Sequence, residues 1–119
     1  MEEERNQLGI SPQMREAITA TSDCYNVCTE TLNYSLNGGG YLSDEQLLRA
    51  LIDIAEVLQA TQNALLRSSE LGVMLAAVTV EACENVAASC RRLDGSDERL
   101  AACAEMCDET ADACRRLGV

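Results

Sequence analysis

The residues with chemistry to offer are seven cysteines, in a chain of 119 residues that contains no histidine. Four of them form two C-x-x-x-C pairs, Cys24 with Cys28 and Cys103 with Cys107. On a helix this spacing puts both sulfurs on one face about a turn apart. One two-coordinate Cu(I) ion, or one face of a metal–sulfur cluster, can reach both. Thiolates unaccompanied by imidazole or core carboxylates select soft ions: Cu(I), iron–sulfur clusters or, more weakly, zinc. The spacing differs from the C-x-x-C knuckle of zinc ribbons and from the loop spacing of ferredoxins. The chain also lacks lysine. Without His or Lys there is no imidazole acid–base pair, no Schiff base and no P-loop lysine. No nucleophile–base pair or phosphate loop is visible either, so no catalytic residue is assigned and the chain is not expected to be an enzyme.

The composition says where these thiols work. A formal net charge of −11 makes nucleic acid and anionic membrane surfaces poor partners. Apolar residues make up 47% of the chain, enough for one packed core, and aromatic residues only 3%, so that core must be aliphatic, Ala and Cys. The opening Met-Glu-Glu-Glu-Arg is unlike a secretory signal. No uninterrupted apolar run of about 20 residues offers a membrane span. The expected location is the cytoplasm, where structural disulfides are disfavoured, and an odd number of cysteines would leave one unpaired in any case.

The elements that must position the thiols are helices. Ser11-Pro12 reads as N-cap and first helical position, and Asn37-Gly38-Gly39-Gly40 as a stop. Ser43-Asp44-Glu45-Gln46 reads as a capping box with Ser43 at the cap, opening a helix to about Arg67. Ser68-Ser69-Glu70 offers the next cap, with Gly72 in the turn that follows, and the third helix ends at Asp94-Gly95. Ser96 or Asp97 caps a fourth, which ends near Arg116. Helices of this length with short connections predict an all-α, antiparallel up-down-up-down four-helix bundle. It occupies residues 11–119 as a single domain behind a polar tail, residues 1–10.

Seams of alternating three- and four-residue steps carry every cysteine to the interior. Helix one contributes Cys24 and Cys28 with Thr21 and Thr31. Helix three contributes Cys83 and Cys90 with Thr79, and helix four Cys103, Cys107 and Cys114 with Thr110. Helix two contributes Leu and Ile instead. Reflecting positions through the loops at about 1.5 Å per residue puts Cys24, Cys83 and Cys107 in one layer and Cys28 with Cys103 in the next. Cys90 then falls one turn beyond, and Cys114 alone at the far end. A single buried cysteine packs as a small hydrophobe; several in adjacent layers ask for a guest. The seam threonines are expected to bond back to their own helices. Met14, Met74 and Met106 read as core filler.

These same residues resemble the cysteine-rich four-helix-bundle copper storage protein family. The likeness rests on Cys24-x3-Cys28, Arg67-Ser68-Ser69-Glu70, Cys83-x6-Cys90, and Cys103-x3-Cys107-x6-Cys114 followed by Arg115-Arg116. This chain reads as a cysteine-depleted member, with Ile54 and Leu58 where relatives carry cysteine. The resemblance implies Cu(I)-ligand roles for all seven cysteines; with Cys114 alone at its height, the expected ligands are Cys24, Cys28, Cys83, Cys90, Cys103 and Cys107, in low-capacity copper binding, storage or buffering. Two alternatives stay open: one [4Fe–4S] cluster in the bundle core serving electron transfer, or a metal-free helical interaction domain. A redox or metal-delivery protein is the expected partner, and the sequence is compatible with a homo-oligomer.

Overall fold

The structure, a computed structural model, describes residues 10–38, 44–93 and 96–118. Four helices follow one another: α1 (Pro12–Gly38), α2 (Glu45–Leu66), α3 (Gly72–Leu93) and α4 (Glu98–Arg115). Each packs against the next, and α1 also packs against α4. They make a rod of 52 × 21 × 21 Å, long enough for one helix and wide enough for two. Cross-helix pairs give the directions. Glu16 pairs with Arg116, Glu30 with Arg99 and Tyr34 with Asp97, so α1 and α4 are antiparallel. Glu84 with Arg115 and Arg91 with Asp108 make α3 and α4 antiparallel. Asp44 with Arg92 and Thr61 with Thr79 do the same for α2 and α3. The up-down-up-down order follows. The charged pairs are exposed and each contributes little to stability.

Local chemistry sets the helix ends. The Ser11 hydroxyl accepts from the Met14 N–H at 3.1 Å, as Ser-Pro predicts. The cap of α2 is Asp44, its carboxylate accepting from the Leu47 N–H at 3.0 Å and pairing with Arg92; Ser43, the expected cap, lies outside the described residues. These contacts, the Leu47 N–H first and the Arg92 guanidinium second, hold that carboxyl below its ordinary pKa. The turn from α2 to α3 is a Schellman closure, in which the Ser69 N–H reaches the Ala64 carbonyl and the Ser68 N–H the Leu65 carbonyl. Ser68 takes the left-handed conformation, φ 53°, where glycine is usual. Gly72 lies inside α3 rather than in the turn. It is buried against Leu65, and a Cβ there would meet Leu65 Cδ2 at 3.1 Å.

The interior follows the seams. Ala17, Thr21, Cys24, Cys28, Thr31 and Ser35 of α1 are buried, as are Leu47, Leu51, Ile54, Leu58 and Thr61 of α2. Met74 departs from the expected filler role, being 66% exposed; it falls outside the three–four register of the α3 seam. Among the described helices α3 alone is, by length and composition, apolar enough to cross a bilayer, although no uninterrupted apolar run marks it. In this fold one face of it lines the bundle. Residues 1–9 of the expected tail lie outside the described residues.

Asp97 caps α4 through the Leu100 N–H at 2.9 Å and accepts from the Tyr34 hydroxyl at 2.8 Å. Asp97→Ala is expected to lower stability by about 1–2 kcal/mol, and Asp97→Asn, which keeps an acceptor, by less. Urea unfolding followed by circular dichroism measures both.

Candidate metal centre

The bundle places all seven thiols inside, and none is oxidised. Cys24 and Cys28 stand one turn apart on α1, facing Cys107 and Cys103 one turn apart on α4. Because these helices are antiparallel, the pairs meet in order. Cys24 Sγ lies 4.0 Å from Cys107 Sγ, and Cys28 Sγ 3.9 Å from Cys103 Sγ. The diagonal from Cys28 to Cys107 is 3.8 Å, and Cys24 to Cys28 is also 3.8 Å. Cys83 of α3 borders the same group beside Cys24 and Cys107, and Cys90 borders it beside Cys103. Both are 1% exposed. On the α2 side the wall is aliphatic, built from Leu51, Ile54 and Leu58 at 0% exposure. Cys114 joins no sulfur contact among the described residues and feels Cys24 only electrostatically.

Cys24, Cys28 and Cys107 form a nearly equilateral triangle with sides of 3.8, 4.0 and 3.8 Å. A mean side of about 3.9 Å, divided by √3, puts its centre about 2.2 Å from each sulfur, close to a metal–thiolate bond of about 2.3 Å. The triangle therefore has the size of a three-coordinate thiolate site for one soft ion. A linear two-coordinate ion needs sulfurs about 4.6 Å apart, so the C-x-x-x-C pair alone is slightly too tight for the arrangement its spacing suggests.

The electrostatics suit an apo site that holds protons. Cys28 is pushed above the ordinary thiol range, first by its hydrogen bond to Cys103 and further by burial. Cys107 is raised by Cys103, Cys24, Cys28 and Cys83 in turn, and Cys90 by Cys103 and burial. For Cys83, the Cys107 hydrogen bond pulls down, but Cys24 and burial together push it up. Burial carries Cys114 to about 11. Cys24 and Cys103 go the other way, because each receives hydrogen bonds from surrounding thiols, Cys107 foremost. Threonine hydroxyls add to this at both ends, Thr110 beside Cys24 and Thr31 beside Cys103. Both threonines also bond within their own helices, as the seams predict, Thr31 to the Val27 carbonyl and Thr110 to that of Met106. The signal for the role beside the thiols was their three-residue offset from Cys28 and Cys107.

A profile described as copper storage protein matches residues 10–118 of the chain. No curated protein matches it significantly. Among solved structures, a protein from Nitrosospira multiformis is 29% identical, covering 88% of this chain and 94% of that one with a TM-score of 0.80. The Cu(I)-bound copper storage protein BsCsp3 is 20% identical over 90% of this chain and 99% of that one, TM-score 0.83. The copper storage protein Ccsp of Streptomyces lividans, loaded with 10 copper equivalents, is 24% identical over 88% and 83%, TM-score 0.81. The last two likenesses carry the fold.

The raised thiols tie stability to pH. Cys28, Cys83, Cys90, Cys107 and Cys114 keep their protons in the folded state to higher pH than in the unfolded chain. Their contribution is whole below the unfolded thiol pKa of about 8.5 and is lost as pH rises past it. The urea midpoint of the reduced, metal-free protein is expected to fall between pH 8 and pH 10. A flat midpoint over that range would contradict this electrostatic picture.

Proposed function

The chain belongs to the copper storage protein family, and we propose that it holds Cu(I) on the thiols of Cys24, Cys28, Cys103 and Cys107, with Cys83 and Cys90 completing the ligand set. The triangle of Cys24, Cys28 and Cys107 carries this reading, because its dimensions are those of a three-coordinate thiolate site. Soft thiolate donors with no imidazole favour Cu(I). Three thiolates around one Cu(I) leave a net charge of −2 in a dry interior, which further Cu(I) ions bridging the remaining sulfurs offset. Six thiolates sharing ions in this way hold about four Cu(I), a low capacity for a storage protein. Iron–sulfur binding draws no support from the family.

The role is binding and buffering rather than catalysis. The buried polar side chains among the described residues are Thr and Ser, and none is charged. The working location is the cytoplasm, in line with the cytosolic Streptomyces lividans protein of the same fold. A metal-delivery protein is the natural partner for exchanging so oxidisable an ion. The functional unit is the bundle from residue 11 onward, as a single domain.

Anaerobic titration of the reduced protein against a chromophoric Cu(I) chelator tests the reading. About four Cu(I) per chain are expected. Cys24→Ala with Cys107→Ala should abolish tight uptake while helicity persists. Full uptake by that double variant, or none by the wild type, overturns the proposal.

Binding also displaces protons from the raised thiols Cys28, Cys83, Cys90 and Cys107. Apparent Cu(I) affinity is therefore expected to fall as pH falls, by about tenfold per pH unit for each proton released per copper. Competition titrations at pH 6, 7 and 8 read the slope.

A further inference from the structure

One turn from the Cys24, Cys83 and Cys107 layer, every helix turns a threonine inward: Thr21, Thr61, Thr79 and Thr110, all at 0% exposure. Their hydroxyls are internally satisfied. Thr21 donates to the Ala17 and Ile18 carbonyls at 2.9 and 3.0 Å. Thr79 bonds the Leu75 carbonyl at 2.9 Å, and the Thr61 hydroxyl lies 2.7 Å from that of Thr79. Thr110 bonds the Met106 carbonyl at 2.8 Å and reaches across to the Ala20 carbonyl of α1 at 3.3 Å. Beyond this layer sits Cys114, buried and without a sulfur contact among the described residues.

We propose that this four-threonine layer is the floor of the sulfur chamber: it confines Cu(I) to the thiols on one side, leaves Cys114 metal-free, and so sets the protein's copper capacity. The inference rests on the Cu(I) reading above. A neutral hydroxyl is a hard donor that does not compete with thiolate for Cu(I), and each of these hydroxyls is already engaged in hydrogen bonds within the bundle. Cys107 and Cys114 are two turns apart, about 10 Å along the axis, whereas one ion joins sulfurs no more than about 4.6 Å apart. No single ion spans that gap, and the layer supplies no sulfur relay across it. A cysteine at position 110 would divide it into steps of three and four residues, the second being the spacing between Cys24 and Cys28.

Four proteins decide the matter by anaerobic Cu(I) titration: wild type, Cys114→Ala, Thr21→Cys/Thr110→Cys, and that double variant with Cys114→Ala added. Wild type and Cys114→Ala are expected to bind the same number of Cu(I). The double variant should bind about one or two more, and removing Cys114 from it should lose about one. A lower stoichiometry for Cys114→Ala in the otherwise wild-type chain overturns the inference whatever the engineered variants do, as does a folded double variant with no added capacity. Should that variant lose its helical circular dichroism, Thr110→Cys alone is used, with a gain of about one expected. A wild type that takes up no Cu(I) fails the functional reading itself, whereas unequal wild type and Cys114→Ala fail only the floor.

Discussion

Everything in this protein turns on how costly it is to keep a thiolate in a dry, narrow bundle. A single buried sulfur avoids the cost by holding its proton, as Cys114 does with a pKa raised to about 11. Six sulfurs, each with another sulfur beside it, cannot all ionise, because each new charge is opposed by desolvation and by its neighbours. A soft cation reverses that balance by supplying the missing positive charge and taking the place of the protons. The same proximity that raises most of the thiols is what makes them a chelating set.

The rest of the fold serves that proximity. Antiparallel α1 and α4 bring Cys24 and Cys28 opposite Cys107 and Cys103, and α3 adds a thiol at each end of the group. Helix α2 contributes packing rather than ligands, through Leu51, Ile54 and Leu58. Polar side chains sort by the same logic. Charges stay on the outside, where Arg91, Arg92, Arg115 and Arg116 pair with carboxylates on neighbouring helices. Inside, hydroxyls are tolerated because most return their protons to a carbonyl four residues back. Thr61 bonds instead to Thr79 and the Leu75 carbonyl of α3, and Ser35 is a buried hydroxyl with no partner among the described residues.

Much of this was legible in the sequence, and the failures have local causes. The three–four periodicity found the buried face of each helix and carried every cysteine to it, because that periodicity is a property of one helix on its own. Errors gathered at helix ends. Asp44 caps α2 through the Leu47 N–H, one residue past the expected cap. Gly72 looked like a turn residue because glycine is usual there, yet the chain turns through Ser68 and uses Gly72 for close packing against Leu65. Met74 was assigned inward on composition, although its register points it to solvent.

The sequence by itself determined which residues face inward and at roughly what height, since helical pitch and short connections leave little freedom in either. Only the tertiary structure decided the lateral geometry: the sulfur triangle of Cys24, Cys28 and Cys107, the crossing of Thr110 to the Ala20 carbonyl, and the joining of Thr61 to Thr79. Those distances depend on how far apart two helix axes lie and how each is rotated about itself. Both follow from the packing of all four helices together, which no single stretch of chain encodes.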